Sequence, residues 1–420
     1  MTLTLHRHSV QTVTFGDKAG IAGGTLTVDP EALRDHLQAR DERLAKIRIG
    51  LARPGEATRI VCVKDVVQPR LKKAGEKAGT GTLCVLDDVA VVTCGPIVAF
   101  QEGIIDMSGP GADTTPFSRM PLVVLDIDVS EGVSPHEHEA AVRSAGLEAA
   151  DAIARSCIEA EPDVVETVAW DKSKAGSKLP RIAPGLPRIA YVYLVLSQGL
   201  LHDNYVLGRN AREGLPISVD PRIAFDTAIV SGNCVSACDK NTTYHHQNNP
   251  LVAELLRGHG TRWDFAGVVI SNAATRLADK QRAAEAAVEL VADMKADGAI
   301  VSKEGFGNPD TDLMMILRGL GQAGIKASAI TDEFAGIEGD SQSLADATPE
   351  ADAIVSVGNA NERIRLPAMS TTFGPLPDVT RLAGGYPHSL RDDGTMEVEL
   401  QSIMGATNQL GFSRLSCREV

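Results

Sequence analysis

Aromatic side chains are scarce in this 420-residue chain: two Trp, five Tyr and nine Phe, 4% of the whole. A core must therefore be built from Val, Leu, Ile and Ala, which the 43% hydrophobic content supplies. No run approaches the roughly 18–20 apolar residues that span a bilayer, so no membrane role is expected. The opening MTLTLHRHSVQTVTFGDKAG lacks the apolar stretch of a secretory signal, and the cytoplasm is the expected location. Basic runs are also missing; Lys and Arg are scattered, and the formal net charge is -14. A phosphate surface would repel such a chain, which argues against nucleic acid as a partner. Paired cysteines are missing too. Cys62, Cys84, Cys94, Cys157 and Cys417 stand alone and read as reduced thiols rather than disulfides.

The length suggests two or three domains. Residues 1 to about 130 read as β-rich, with TLTVD, RIVCVKDVV, GTLCVLDDVAVVTCG and MPLVVLDIDV as β-branched runs between Gly, Pro and Asp. DPEALRDHLQARDERLAKI reads as an intervening helix capped by Asp29 with Pro30 in its first turn. Residues 135–160 read as one amphipathic helix. LPRIA occurs twice in a Lys- and Pro-rich stretch expected to be a surface loop, followed by IAYVYLVLS as a buried strand. From about residue 264, short apolar runs alternate with helical segments, including one before DAIVSVG. The expected fold is α/β: a β-rich, mixed N-terminal half (1–233) and a C-terminal half (234–420) with a Rossmann-like parallel sheet and flanking helices. Ligands then belong at the carboxyl ends of the strands, where KEGFGNPDTD, TDEFAGIEGDSQS and GNANER lie.

The segment joining the halves, IVSGNCVSACDKNTTYHHQNNP, holds two cysteines, two histidines, four asparagines, an Asp and a Lys, and almost nothing to fill a core. Cys234, Cys238, His245 and His246 are zinc-ligand types, but adjacent histidines bind one ion poorly, and the cysteine spacing is not that of a redox pair. GFG at 305–307 resembles half of a dinucleotide fingerprint; the third glycine is missing and acids follow, so neither nucleotide nor metal is expected. Glu304, Gly305, Gly307, Asn308 and Asp310, with Asn359 and Asn361 on a second loop, suit a small ammonium-bearing substrate. Capping of the following helix is an equal reading for Asp310 and Asp312. His136 and His138 begin a helix, where i and i+2 point apart, and read as a solvated face.

SGNCVSACDKN followed by NNP resembles the glycine/sarcosine/betaine reductase component B proprotein family. ARPGEATRIVCVKDVVQPR, VAFQEGIIDMSGPGADTTPFS, QGLLHDNYV, EGFGNPDTDL, DSQSLADA, GNANE and GATNQLGF resemble family signatures in the family's order, over nearly the whole chain. The resemblance implies cleavage between Asn233 and Cys234, whose thiol attacks the Asn233 carbonyl and whose residue becomes a pyruvoyl group, the self-derived cofactor. His245 and His246 are candidates by type for the base that ionises the thiol. The resemblance further implies an oligomeric oxidoreductase subunit that holds a small amine as an imine. A selenocysteine- or cysteine-bearing partner chain then cleaves the C–N bond reductively. The alternative is an uncleaved subunit that binds a small amine or acts as a scaffold without pyruvoyl chemistry.

Overall fold

The computed structural model describes residues 2–72, 75–170, 185–198, 201, 204–232 and 236–410. Asp29 and Pro30 begin the first helix, α1 (Pro30–Arg40), with the Asp29 carboxylate accepting from the Ala32 amide at 2.9 Å. The helix does not continue through residue 47 as expected. Asp41 ends it in an extended conformation, and Leu44–Ala52 is a strand with Leu44, Ile47 and Ala52 buried. Long-range pairing overrides the local helix preference of ERLAKI.

The strands of the N-terminal region are β1 (Leu3–Ser9), β2 (Thr12–Phe15), β3 (Gly20–Ala22), β4 (Thr25–Val28), β5 (Leu44–Ala52), β6 (Thr58–Val63), β7 (Asp65–Val67), β8 (Arg70–Lys72), β9 (Gly81–Asp87), β10 (Ala90–Cys94), β11 (Gly103–Asp106), β12 (Leu122–Val129) and β13 (Val164–Val168). Helices α2 (Pro110–Thr114) and α3 (Pro135–Ala154) lie among them. Strands β14 (Arg188–Leu196), β15 (Asn204–Val206), β16 (Arg209–Asn210), β17 (Ile217–Val219) and β18 (Ile229–Ser231) follow. Beyond residue 236 come α4 (Thr243–Gln247), α5 (Pro250–Gly258), β19 (Asp264–Ala273), α6 (Leu277–Asp293), β20 (Gly298–Lys303), α7 (Asn308–Gln322), β21 (Lys326–Glu333) and β22 (Ile354–Asn359). Strands β23 (Arg363–Leu366), β24 (Thr371–Phe373) and β25 (Met396–Glu399) end the series.

The architecture is mixed α/β. One four-stranded sheet, β5-β12-β10-β7, is covered by Leu33 and Leu37 of α1 and by Ala141, Ala145 and Ala149 of α3. The largest sheet has the order β17-β19-β14-β20-β21-β22, with parallel pairing from β19 to β22 and β17 antiparallel at one edge. Helices α6 and α7 pack on one face through Ala287, Val291, Leu313 and Leu317. Tyr191, Tyr193 and Val195 meet Leu5, Leu83 and Leu251 on the other. Burial on both faces explains why β14 reads as a continuous apolar run.

These sheets ignore the division of the chain at residue 233. β14 and β17 precede it, yet β14 lies between β19 and β20, which follow it. In the three-stranded sheet β11-β6-β24, β24 pairs parallel with β6, and Arg59 of β6 meets Asp106 of β11 in a buried bidentate pair at 2.6 and 2.7 Å.

Three further expectations are corrected. No helix lies between β21 and β22; the Gly-, Ser- and Asp-rich connection folds on itself through Phe334 N to Ser343 O and Ser341 N to Ala335 O, at 3.1 and 3.0 Å. The second LPRIA copy is not surface loop, since Arg188 to Ala190 open β14 and Arg188 is buried on Asp264; the first copy lies outside the described residues. Cys84 and Cys157 are joined as a disulfide rather than separate thiols, which brings β9 to the turn after α3.

Candidate functional site

Asn233 and Cys234 lie outside the described residues, so the site is defined by what surrounds them. Lys240 grips both ends of the intervening three residues. Its ammonium donates to the Gly232 carbonyl, and its amide donates to the Ser236 carbonyl at 3.1 Å. The same ammonium donates to the Lys64 carbonyl at 2.7 Å. Lys240 is 1% exposed and has no carboxylate within ion-pair distance among the described residues. A buried ammonium held only by backbone carbonyls is an expensive arrangement, and it is aimed at this segment. Cys234 is two residues from Ser236, hence within about 7 Å of it along an extended chain.

Two sequence signatures converge on the following turn. Gly405 N donates to Ala237 O at 2.9 Å and Thr407 N to Cys238 O at 3.0 Å. A Cβ on Gly103 would come within 2.5 Å of the Ala237 methyl, so the glycine-rich stretch near residue 103 lets β11 approach this turn.

The two histidines occupy different positions. Nδ1 of His245 lies 3.1 Å from the Thr242 amide and accepts from it, closing a capping box at the start of α4. His246 continues a chain of buried polar groups. Its Nδ1 is 2.7 Å from the Tyr193 hydroxyl, and its Nε2 is 3.2 Å from Oδ1 of Asn204. Asn204 Nδ2 then donates to Glu304 Oε2 at 2.6 Å. Burial lowers both histidines to about 3, so each is neutral at physiological pH. Glu304 also accepts from the Leu196 and Asn241 amides, at 2.9 and 3.0 Å. Burial pushes Glu304 up to about 7 against the pull of these three donors.

The other residues named from sequence are placed as follows. Gly305 and Gly307 have φ of 84° and 72° and turn the chain from β20 into α7. Asn308 is exposed at the start of α7. Asp310 is paired with Lys303 and accepts from the Ala345 amide at 2.8 Å; Asp312 is paired with Lys280. Asn359 and Asn361 brace the loop after β21, accepting from the Ala335 and Gly336 amides at 3.1 Å each. His136 and Glu137 are exposed on the first turn of α3, where Glu137 closes a capping box with Ser134, but His138, expected on the same solvated face, is half-buried and is lowered to about 4 by that burial. The structure thus joins Glu304 to the turn holding Cys238 through the Asn241 amide, and His246 to Glu304 through Asn204, whereas Asp310, Asn359 and Asn361 are engaged in holding loops.

Several residues of the site were not singled out from sequence: Tyr193, Asn204, Asp239, Lys240, Lys303, Asp332 and Asn408. Asn408 donates to the Asn241 side chain at 2.7 Å. Thr407 donates to Asp332 Oδ2 at 3.0 Å. The Cys238 sulfur and carboxylate oxygens of Asp239 and Asp332 lie within 4.8 Å of one another, all fully buried. Burial raises the Cys238 thiol well above its ordinary range, so it is protonated at neutral pH. Nearby, at the carboxyl ends of β14 and β19, a cleft of about 710 Å³ opens, lined by Ser197, Gln198, Asn272, Arg212, Arg276 and Arg282.

Comparison with known proteins gives a consistent result. The family model described as glycine/sarcosine/betaine reductase component B subunits matches residues 1–418. The chain is 42% identical over 432 residues to the glycine reductase complex component B subunits alpha and beta of Acetoanaerobium sticklandii, covering 100% of each. It is 43% identical over 430 residues to the protein of that name from Peptoclostridium acidaminophilum, again covering 100% of each. Identity is 41% over 430 residues to the sarcosine reductase complex component B subunit alpha of Peptoclostridium acidaminophilum, with 100% of each covered. No solved structure matches the chain.

Proposed function

The chain belongs to the glycine/sarcosine/betaine reductase component B family, and from that premise we propose that it is the pyruvoyl-forming, amine-binding subunit of such a reductase complex. Cleavage between Asn233 and Cys234 divides the 420 residues into fragments of 233 and 187. Two relatives whose single sequences are named for two subunits, alpha and beta, support this reading. Overall, the Asn–Cys peptide and two waters become a carboxylate on Asn233, a pyruvoyl group at residue 234, ammonia and hydrogen sulfide. When formed, the pyruvoyl carbonyl supplies an electrophile for an amine, which no ordinary side chain provides.

The observation that carries the proposal is the double grip of Lys240 on Gly232 and Ser236. It fixes the backbone on both sides of the scissile bond, and it leaves a cation next to the carboxylate that cleavage creates. Gln409, fully buried, has both amide atoms without a partner, and its N–H is a donor of the kind a small carbonyl accepts. Neutral His246, aligned by Tyr193 and Asn204, keeps a fixed tautomer with its proton on Nε2. Reductive cleavage of the C–N bond falls to a selenol or thiol on a partner chain, because the Cys238 thiol is buried and protonated.

Intact mass of purified protein tests the reading. Two fragments are expected, the smaller blocked to N-terminal sequencing, and Cys234→Ala is expected to give one chain. A single 420-residue mass from active protein overturns cleavage and leaves an uncleaved binding subunit.

A further inference from the structure

Asp239 and Asp332 stand out from every other buried acid in the site. Asp310 and Asp312 have lysine partners, and Glu304 is saturated by three N–H donors. Asp239, fully buried, has no hydrogen-bond partner on either carboxylate oxygen; Asp332, also fully buried, has none on Oδ1. The nearest cation, Lys303, is committed to Asp310 and lies 3.9 Å from Asp332 Oδ1, beyond hydrogen-bonding distance. Three orphaned acceptors therefore lie close together and fully buried, where the carboxylates of Asp239, Asp332 and Asp310 have only the Lys303 ammonium among them. Isolated buried carboxylates are costly, so the pair must share a proton or hold a cation.

We propose that Asp239 and Asp332 form the subsite that receives the substrate's ammonium group, and that this subsite takes a primary or secondary ammonium rather than a quaternary one. The inference rests on the amine-binding reading above. It goes further, because it names the groups that hold the nitrogen and restricts what that nitrogen carries. Orphaned carboxylate oxygens need N–H donors. A primary ammonium brings three and a secondary one two, whereas a quaternary ammonium brings none. A quaternary nitrogen is instead received by aromatic faces, whereas Asp239 and Asp332 bring two carboxylates together beside the Cys238 thiol. The position suits the role: Asp239 is five residues after Cys234, in the turn whose backbone Lys240 anchors.

The experiment uses the wild-type protein as purified, with its state of cleavage read by mass. Elemental analysis comes first. One equivalent of a divalent metal, lost in Asp239→Asn, would overturn the proposal, since the pair would then be a metal site. Thermal midpoints are next measured with methylammonium and with tetramethylammonium at equal ionic strength. A rise with methylammonium alone is expected; equal rises with both, or none with either, would count against the subsite. Equilibrium dialysis of labelled methylamine should then show binding weakened at least tenfold in Asp239→Asn and in Asp332→Asn, and unchanged in Asp293→Asn at the exposed end of α6. Binding within twofold of wild type in both variants overturns the assignment. If either variant fails to fold, the thermal comparison on wild-type protein decides alone. Borohydride treatment separates this proposal from the pyruvoyl reading. Protein with its carbonyl reduced should still bind methylamine; loss of binding would mean that the carbonyl, not the carboxylates, held the amine. A single full-length mass would refute cleavage while leaving the binding comparison in force.

Discussion

The hydroxyl of Tyr193 lies 2.7 Å from Nδ1 of His246, a hydrogen bond between a residue before the proposed cleavage point and one after it. It is one tie of many across that point. β14 sits between β19 and β20, and Asp65 of β7 accepts from the Thr243 amide at 2.9 Å. The 233- and 187-residue fragments are therefore expected to co-elute on a sizing column without denaturant and to part only at denaturant concentrations that unfold both. Separation under native conditions would contradict this.

Lys240→Met should slow maturation at least tenfold, measured as the fraction of cleaved chain over time by mass, because the grip on Gly232 is lost. Lys240→Arg, which keeps a buried cation, should recover part of the rate. Normal cleavage in both variants would show that Lys240 has no part in positioning the scissile segment.

Glu304 gives a pH signature. Its folded pKa, about 7, exceeds the usual 4.5, because burial outweighs its three donors. A raised acid contributes stability that is full below about 4.5 and is lost as pH rises through about 7. Glu304→Gln removes that titration and turns an amide N–H2 against an N–H donor, a mismatch of about 1–3 kcal/mol. The stability gap between wild type and variant should accordingly narrow by more than about 1 kcal/mol between pH 4.5 and 7, read from chemical denaturation. A gap independent of pH would show that Glu304 is ionised throughout.

The thiol count is a fourth check. Of the seven cysteines, Cys84 and Cys157 are bonded and the proposed maturation would consume Cys234, so unreduced, denatured protein should titrate four thiols (7 − 1 − 2). Reduction should raise this to six. Six without reductant would mean that Cys84 and Cys157 are free in solution.

Much of the sheet framework was readable in the chain. β-Branched runs between turn residues marked β6, β9, β10, β12 and β14, and the loops named at the strand ends hold Glu304 and Asp332. What sequence could not reveal is which acids find partners. Asp310 and Asp312 looked available for an ammonium, yet Lys303 and Lys280 neutralise them from other parts of the fold. Asp239 and Lys240 stood inside a quoted motif, but their significance is burial without an ion-pair partner, which no spacing encodes. Asn204 and Tyr193 reach His246 only after β14 and β15 are brought beside α4. The overlong first helix failed for the same reason: pairing of β5 with β12, a long-range event, decides the state of residues 44–52.

The placement of β14 also dictates an order of events. A strand inserted between two later strands is hydrogen-bonded along both edges. As one polypeptide, the chain inserts it at the high local concentration that a covalent tether provides. Two separately made fragments would have to meet by diffusion, the larger with an unpaired strand and the smaller with an open slot, both prone to pairing with the wrong neighbour. A single gene followed by self-cutting avoids that encounter, and a cut made before the sheet closes forfeits the advantage. On the proposed cleavage, the intact precursor would be the template on which the two-chain product is assembled, and the strand that locks it could not be supplied afterwards without first unfolding what surrounds it.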